Sequence, residues 1–155
     1  YTGNAMGPAL LAKLMRVPNI IGVKNSSADM GEFSEMLRLS PAGRSLCTGI
    51  DSQFYPALCV GAAGLYSTAA CVMPKQMVEL YDLTLAGRHR AARALNRKLQ
   101  ALNIFLEYDT GYGAPAKEAL NMLGLPGGCL RAPLPKLTAA EKAGVRKALK
   151  QIGLL

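Results

Sequence analysis

The sequence contains no tryptophan, a single histidine, and no uncharged apolar run of the length that a membrane helix requires. Such a helix needs about 20 consecutive apolar residues, so a membrane-spanning segment is excluded. No basic stretch followed by an apolar segment occurs at the start, as a secretory signal would require. We therefore expect a cytoplasmic protein with no membrane partner. Because the chain begins with Tyr1 rather than methionine, we also expect that residues preceding it are missing.

Few residues could bind a structural metal. The four cysteines, Cys47, Cys59, Cys71 and Cys129, are widely spaced and form no C-x-x-C pair, and His89 is the only histidine. A zinc site is therefore not favoured. We expect reduced, buried thiols of the kind found in cytosolic proteins.

The charge is strongly one-sided, with a formal net charge of +8 over 155 residues. The densest basic stretch comprises Arg88, His89, Arg90, Arg93, Arg97 and Lys98. On a helix, Arg90, Arg93 and Arg97 would form one stripe opposite an apolar face. We expect this stripe to be the solvated side of an amphipathic helix, and no nucleic acid among the partners. Nucleic-acid binding remains an alternative, which a steep dependence of affinity on salt would reveal.

Strand-like and helix-like segments alternate along the first two thirds of the chain. Short apolar runs bounded by turn residues predict strands at 19–24, 45–49 and within 61–67. Helical spacing predicts helices at 6–15, 29–37, 51–60, 74–105 with an interruption near Gly87, 115–123 and 138–151. Thr138 and Glu141 predict a capping box for the last helix. Alternating strands and helices indicate a parallel sheet, with the first strand expected to be buried on both faces.

Lys24 is the most informative residue, because it ends the first predicted strand. Folds built on parallel strands place their chemistry at the carboxyl ends of the strands. An amine partly removed from water is favoured in its neutral form, which can attack a carbonyl carbon and lose water to give an imine. The alternative is a lysine that simply reaches solvent at a strand end.

Several motifs occur in the order found in one enzyme family. The segment Pro18–Ser27, PNIIGVKNSS, resembles the lysine strand of the dihydrodipicolinate synthase and N-acetylneuraminate lyase family. Thr48-Gly49-x-Asp51 resembles the Gly-x-Asp segment that ends the family's seventh strand, and Gly61–Ser67 resembles its glycine-rich eighth strand. Segments 123–125, 130–134 and 150–155 resemble the family's closing part, so the similarity covers essentially the whole chain.

The resemblance implies an α/β fold, the (β/α)8 TIM barrel. Residues 1–112 would supply strands six to eight, and residues 113–155 a carboxyl-terminal helical extension packed on the barrel. The family is usually homotetrameric. A whole barrel needs about 250 residues, so the first half of the barrel would have to be present as well.

The resemblance also implies a class I aldolase or lyase that needs no metal or other cofactor. Lys24 would form an imine with pyruvate or another 2-oxo acid, and the derived enamine would add to an aldehyde or result from the reverse cleavage. Tyr66 would place its backbone carbonyl near the imine and form part of the pocket wall. Gly49 and Asp51 would shape the pocket rim.

The sequence departs from the family in two ways. The Gly-Thr-Thr-Gly-Glu segment that holds the pyruvate carboxylate and the proton-relay tyrosine belong to the half that is absent, so we expect these 155 residues alone to be inactive. Tyr1 falls at the position of an arginine that recognises a carboxylate of the semialdehyde in dihydrodipicolinate synthase. As a substrate-binding residue Tyr1 would lack that charge. A sugar-acid aldolase or a dehydratase is therefore favoured as strongly as a dihydrodipicolinate synthase.

Two questions stay open from the sequence. Glu107, Tyr108, Asp109 and Tyr112 could contact substrate near the barrel mouth, or could be ordinary polar loop residues. The leading hypothesis is the enzyme, and the main alternative is a catalytically silent homologue or fragment that acts through assembly with another polypeptide.

Overall fold

A computed structural model describes residues 5–109 and 113–155, with only the backbone described at 108 and 109. Contacts between residues divide the chain into two compact units, residues 1–66 and residues 67–155. Tyr1 and Tyr112, two residues singled out from the sequence, lie outside the described residues. The side chains of Tyr108 and Asp109 also lie outside them.

The first unit alternates strands and helices, as the sequence predicted. Its elements are α1 (Pro8–Leu14), β1 (Gly22–Asn25), α2 (Met30–Leu39), β2 (Ser45–Thr48), a 3-10 turn (Asp51–Gln53), α3 (Phe54–Cys59) and β3 (Gly64–Leu65). β1 is shorter than expected. The chain turns just before it, where the N–H of Ile20 donates to the carbonyl of Val17 at 3.1 Å.

The three strands form one parallel sheet in the order β1-β2-β3. In the register of the sheet, Lys24 lies beside Cys47, and Cys47 lies beside Gly64. The predicted parallel sheet is thereby confirmed. Since side chains alternate across a strand, this register assigns Lys24 and Cys47 to one face, and Val23 and Leu46 to the other.

Within the described part of the first unit, the helices pack on the face of the sheet that carries Val23 and Leu46. The apolar cluster there consists of Leu11, Phe33, Met36, Leu46, Ala57 and Ala62, with Val23, Met30 and Leu37 packed against it. α2 is held in place at its start by Asp29, whose carboxylate accepts from the N–H groups of Gly31 and Glu32. This N-cap satisfies two amides that have no partner within the helix.

The expectation that the first strand is buried on both faces is wrong. Lys24 is exposed, and Ile21, just before β1, is 75% exposed. The apolar run that suggested double burial includes Ile20 and Ile21, which precede the strand rather than belong to it. β1 is therefore covered on one face and open on the other.

The described part of the second unit consists of helices, with an irregular connector at residues 123–138. Its elements are α4 (Ala69–Val72), α5 (Pro74–Leu85), α6 (His89–Ile104), a π-helical turn (Phe105–Asp109), α7 (Gly113–Met122) and α8 (Ala139–Ile152). The predicted interruption near Gly87 is confirmed. Gly87 has φ +69°, a conformation that L side chains rarely adopt, and it separates α5 from α6.

The core of the second unit is built from one stripe of each long helix. Fully buried members include Leu80, Leu99, Leu102, Leu106, Val145 and Leu149. The predicted capping box of α8 is confirmed, with the Thr138 side chain accepting from the N–H of Glu141 and the Glu141 carboxylate accepting from the N–H of Thr138. The short α4 and the π-helical turn were not predicted, since neither changes the apolar spacing of the sequence.

The cysteines are free, as expected, but they are not all buried. Cys47 is half-buried, whereas Cys59, Cys71 and Cys129 are exposed. The prediction of buried thiols is therefore wrong for three of the four. Within the described residues, no helix is both long enough and apolar enough to cross a membrane.

Truncation of Leu46 tests the one-sided packing of the sheet. Leu46 is 2% exposed in the helix-covered face, so Leu46→Ala should lower the free energy of unfolding by about 2 to 5 kcal/mol. Ile21→Ala removes a side chain of similar size from the open side, and should change the free energy by less than about 0.5 kcal/mol. Urea unfolding followed by circular dichroism measures both, and equal effects would contradict a sheet that is covered on one face.

Candidate active site

Lys24 stands on the open face of the sheet, one residue from the end of β1. Its neighbour Val23 points into the apolar cluster and anchors the strand. Alternation then directs Lys24 away from the helices. Because the strand is short and its apolar side is anchored, the backbone of Lys24 has a defined position near the carboxyl end of the strand.

A groove runs along this open face beside Lys24. It has a volume of about 370 Å³ and is lined by Ile21, Gly22, Val23, Lys24, Ser45, Cys47, Ala63 and Tyr66. Half of these residues are small, namely Gly22, Ser45, Cys47 and Ala63, which leaves room over the strands. The groove therefore gives a small molecule access to the lysine side chain.

Gly49 lies directly against the Lys24 side chain. A Cβ atom built at Gly49 would overlap both the Lys24 Cε and the Ser26 Oγ. The backbone at this point is fixed, since the Gly49 N–H donates to the carbonyl of Asn25 at 2.7 Å. Any side chain at position 49 would thus push the end of Lys24 out of its place.

A second glycine allows β1 and β2 to approach each other below the lysine. A Cβ atom at Gly22 would come within 2.5 Å of the carbonyl oxygen of Ser45. Such a contact is too close for an ordinary side chain. The glycine of the Gly-x-Lys pattern is therefore required by the close packing of β1 against β2.

Buried polar side chains fix the backbone where β1 and β2 end. The Asn25 Oδ1 accepts from the N–H of Ser27 at 2.8 Å, and the Asn25 Nδ2 donates to the sulfur of Met36 at 3.1 Å. The Thr48 Oγ1 accepts from the N–H of Ile50 at 3.1 Å. Asn25 and Thr48 are 8% and 1% exposed, so these bonds are protected from water.

Neither Asn25 nor Thr48 was assigned a role from the sequence. The signal that could have found them is alternation, because each follows an apolar residue of the covered face by two positions. A polar residue at such a position must find a hydrogen-bond partner inside the protein. Both residues are therefore structural supports for the segments that follow the strands.

The two serines that follow Asn25 differ in the contacts of their hydroxyl groups. The Ser27 Oγ donates to the Glu32 carboxylate at 3.0 Å and accepts from the N–H of Asp29 at 3.2 Å. Ser26 is exposed, and its hydroxyl lies against Gly49 on the same side as the Lys24 Cε. Ser27 thus joins β1 to the start of α2, whereas Ser26 belongs to the surroundings of the lysine.

Asp51 and Tyr66, two of the predicted rim and wall residues, lie in contrasting environments. Asp51 is 1% exposed at the start of the 3-10 turn, so its carboxylate is not on the open surface. Tyr66 is 64% exposed and lines the groove, and its N–H donates to the carbonyl of Thr48 at 3.0 Å. The structure brings Lys24, Gly49 and Tyr66 to one edge of the sheet, whereas Asp51 is buried in the turn that follows β2.

Cys47 is the titratable neighbour of Lys24 within the sheet. Partial burial raises the pKa of the Cys47 thiol above its ordinary value. The thiol is therefore protonated at neutral pH and adds no charge beside the lysine. Among the described residues, no three of the His, Cys, Asp and Glu side chains are grouped so that they could hold a metal ion.

Comparison with known proteins identifies relatives along nearly the whole chain. The family model of the dihydrodipicolinate synthetase family matches residues 1–152. The 4-hydroxy-tetrahydrodipicolinate synthases of Moorella thermoacetica and Archaeoglobus fulgidus are 38% and 34% identical over 154 residues, which are 99% of this chain and 52% and 53% of theirs. The chain therefore spans about half the length of the curated relatives it matches.

Solved structures show the same relationship. The crystal structure of dihydrodipicolinate synthase from Thermotoga maritima superimposes with a TM-score of 0.89 at 30% sequence identity. The match covers 96% of this chain and 51% of that one. The three-stranded parallel sheet and its helices thus correspond to about half of a TIM-barrel enzyme.

The raised pKa of Cys47 predicts the order in which the thiols react. Only the thiolate reacts with iodoacetamide, so at about pH 8 Cys47 should be modified more slowly than the exposed Cys59, Cys71 and Cys129. Its rate should continue to rise as the pH is increased, because a higher pH is needed to form its thiolate. Peptide mapping after timed alkylation measures this, and equal rates for all four thiols would contradict the burial of Cys47.

Proposed function

Since the chain belongs to the dihydrodipicolinate synthetase family, we propose that it is the carboxyl-terminal part of a Schiff-base-forming lyase with Lys24 as its nucleophile. The substrate is pyruvate or another 2-oxo acid, with an aldehyde as the second reactant. The observation that carries the proposal is the contact between Lys24 and Gly49. Gly49 leaves space for the terminal atoms of Lys24, and the groove beside them lets a carbonyl carbon reach the amine.

The proposed reaction begins at the Lys24 nitrogen. The neutral amine attacks the carbonyl carbon of the 2-oxo acid to give a carbinolamine, which loses water to form an imine. The imine acts as an electron sink, so that a proton leaves the adjacent carbon and an enamine forms. The enamine carbon then attacks the aldehyde, and hydrolysis of the new imine releases the product and restores the amine.

The neighbours of Lys24 have distinct proposed parts in this reaction. Gly49 leaves room for the substrate-bearing end of the lysine, and Tyr66 forms the wall of the groove with its backbone carbonyl near the imine. Asp51, which is buried, would shape the rim without touching solvent. Tyr1 remains a proposed substrate contact outside the described residues.

The proposed whole enzyme is larger than this chain. Residues 1–112 would supply three strands of a (β/α)8 barrel, residues 113–155 the helical extension, and the assembled protein would be a homotetramer. Another polypeptide segment would cover the open face that carries Lys24.

A silent homologue that acts through assembly is the second candidate, and the open sheet face is compatible with it. The open face and the edge of β1 are available for assembly with another polypeptide whether or not an imine forms. Both candidates therefore predict association with the missing half of a barrel. Only the enzyme predicts a covalent adduct with a 2-oxo acid.

Borohydride trapping separates the two candidates. The chain is fused behind the amino-terminal half of the Moorella thermoacetica relative, incubated with pyruvate and reduced, and the lysine adducts are mapped by peptide mass spectrometry. We expect a reduced pyruvyl adduct on Lys24 in the fused protein and little or none in the isolated chain. Lys24→Arg keeps the positive charge but removes the nucleophile, and should abolish the adduct.

Exposed lysines provide the internal controls, since Lys13 and Lys75 should remain unmodified in the same digest. Circular dichroism and gel filtration establish that the fused protein is folded. A folded fusion that forms no adduct with pyruvate or with longer 2-oxo acids would establish the silent homologue instead.

A glycine variant tests the contact that carries the proposal. Gly49→Ala should reduce the yield of the Lys24 adduct by at least about tenfold, because misplacing a reacting group by about 1 Å is costly. Gly7→Ala is the matched control, since a Cβ atom at Gly7 would meet nothing within 4 Å. Equal adduct yields in the two variants would show that the position of the lysine end does not depend on Gly49.

A further inference from the structure

The positive charge of the chain is concentrated on two helices of the second unit. α6 carries Arg90, Arg93, Arg97 and Lys98 and no acidic residue. α8 carries Lys142, Arg146, Lys147 and Lys150, with Glu141 as its only acidic residue. Together they hold seven of the eight excess positive charges of the chain.

Among the residues that the structure describes, one ion pair neutralises a cation of these two helices. Lys142 forms an ion pair with Glu118 at 3.1 Å, and the Glu141 carboxylate is engaged by the Thr138 backbone N–H and hydroxyl. The other seven cations of the two helices are exposed and have no ion-pair partner among the described residues. These seven, which we call the basic surface, are Arg90, Arg93, Arg97, Lys98, Arg146, Lys147 and Lys150.

The two helices lie side by side and run in opposite directions. A Cβ atom at Gly144, in α8, would come within 2.7 Å of the ring of Phe105, just after α6. A Cβ atom at Gly153, after the other end of α8, would lie 3.8 Å from the Lys98 Nζ. The cations of α8 therefore lie alongside the carboxyl-terminal half of α6, and Arg90 and Arg93 continue the basic surface beyond them.

The dimensions of the basic surface suit a chain of phosphates. Arg90 and Arg97 are separated by about 10 Å along the helix axis, and packed helices are about 8 to 10 Å apart. Arginine guanidinium groups bind phosphate oxygens in a fixed, two-pronged geometry. Four of the seven cations are arginines.

We propose that the basic surface binds the phosphate backbone of a nucleic-acid duplex without reading its sequence. α6 and α8 contain no Phe, Tyr or Trp on which unpaired bases could stack, so a single strand is not the favoured partner. The solvated stripe expected from the sequence is exposed, as predicted, but the structure adds a second row of cations beside it. The binding is independent of the proposed lyase reaction.

Fluorescence anisotropy with a labelled duplex of random sequence tests the proposal on the full 155-residue chain. Affinity should fall by about a thousandfold between about 50 and 200 mM salt. The triple variant Arg90→Ala, Arg93→Ala, Arg97→Ala should lower the slope of log affinity against log salt by about 3. Lys147→Ala with Lys150→Ala should lower it by about 2.

A variant of equal charge controls for the overall positive charge. The control is a triple variant that removes three exposed cations outside the basic surface, Arg16→Ala, Arg131→Ala and Lys136→Ala. It should leave the slope of log affinity against log salt unchanged. Alanine favours helix, so the α6 variant should remain folded, as circular dichroism would establish. If the alanine variant is unfolded, a variant with lysine at the same three positions keeps the charge and should retain the wild-type slope.

Four outcomes would overturn the proposal. They are no binding at low salt, an equal loss in the charge-matched control, tighter binding to a single strand of the same length, and tighter binding to vesicles containing anionic phospholipid. The last two would assign the basic surface to a different partner.

Discussion

Alternation of side chains across three short parallel strands decides which face of the sheet carries Lys24 and the groove beside it. Val23 and Leu46 must point toward α2, because the apolar cluster around Phe33 and Met36 is the only large buried surface that the described part of the first unit offers them. Once these two pack against the cluster, Lys24 and Cys47 must point the other way. A shift of register by one residue would bury the lysine and expose the apolar side chains.

The polar residues at the strand ends extend this constraint into the loops. Asn25 and Thr48 occupy the next positions on the covered face, and each accepts a hydrogen bond from a backbone N–H two residues further on. The segments that follow β1 and β2 are therefore held by buried bonds rather than by surface contacts. This accounts for the close approach of Gly49 to Lys24, which would otherwise depend on two unsupported loops.

The order of the elements and the place of Lys24 near the end of the first strand could be predicted from the sequence, because both depend on local patterns. Apolar periodicity located each of the longer helices, and the capping box at Thr138 fixed the start of α8. The burial of Asp51 and the exposure of three cysteines could not be read, since they depend on which segments pack together. The double burial expected for the first strand was wrong for the same reason, because an apolar run does not reveal what covers each face.

Gly49 and Tyr66 border the same lysine but differ in their tolerance of change. Gly49 faces filled space, whereas Tyr66 is mostly exposed beside the groove. A library designed to alter the aldehyde specificity of the proposed lyase should therefore keep position 49 fixed and vary position 66. Substitutions at Tyr66 would reshape the groove wall while the backbone bond to Thr48 keeps β3 in register.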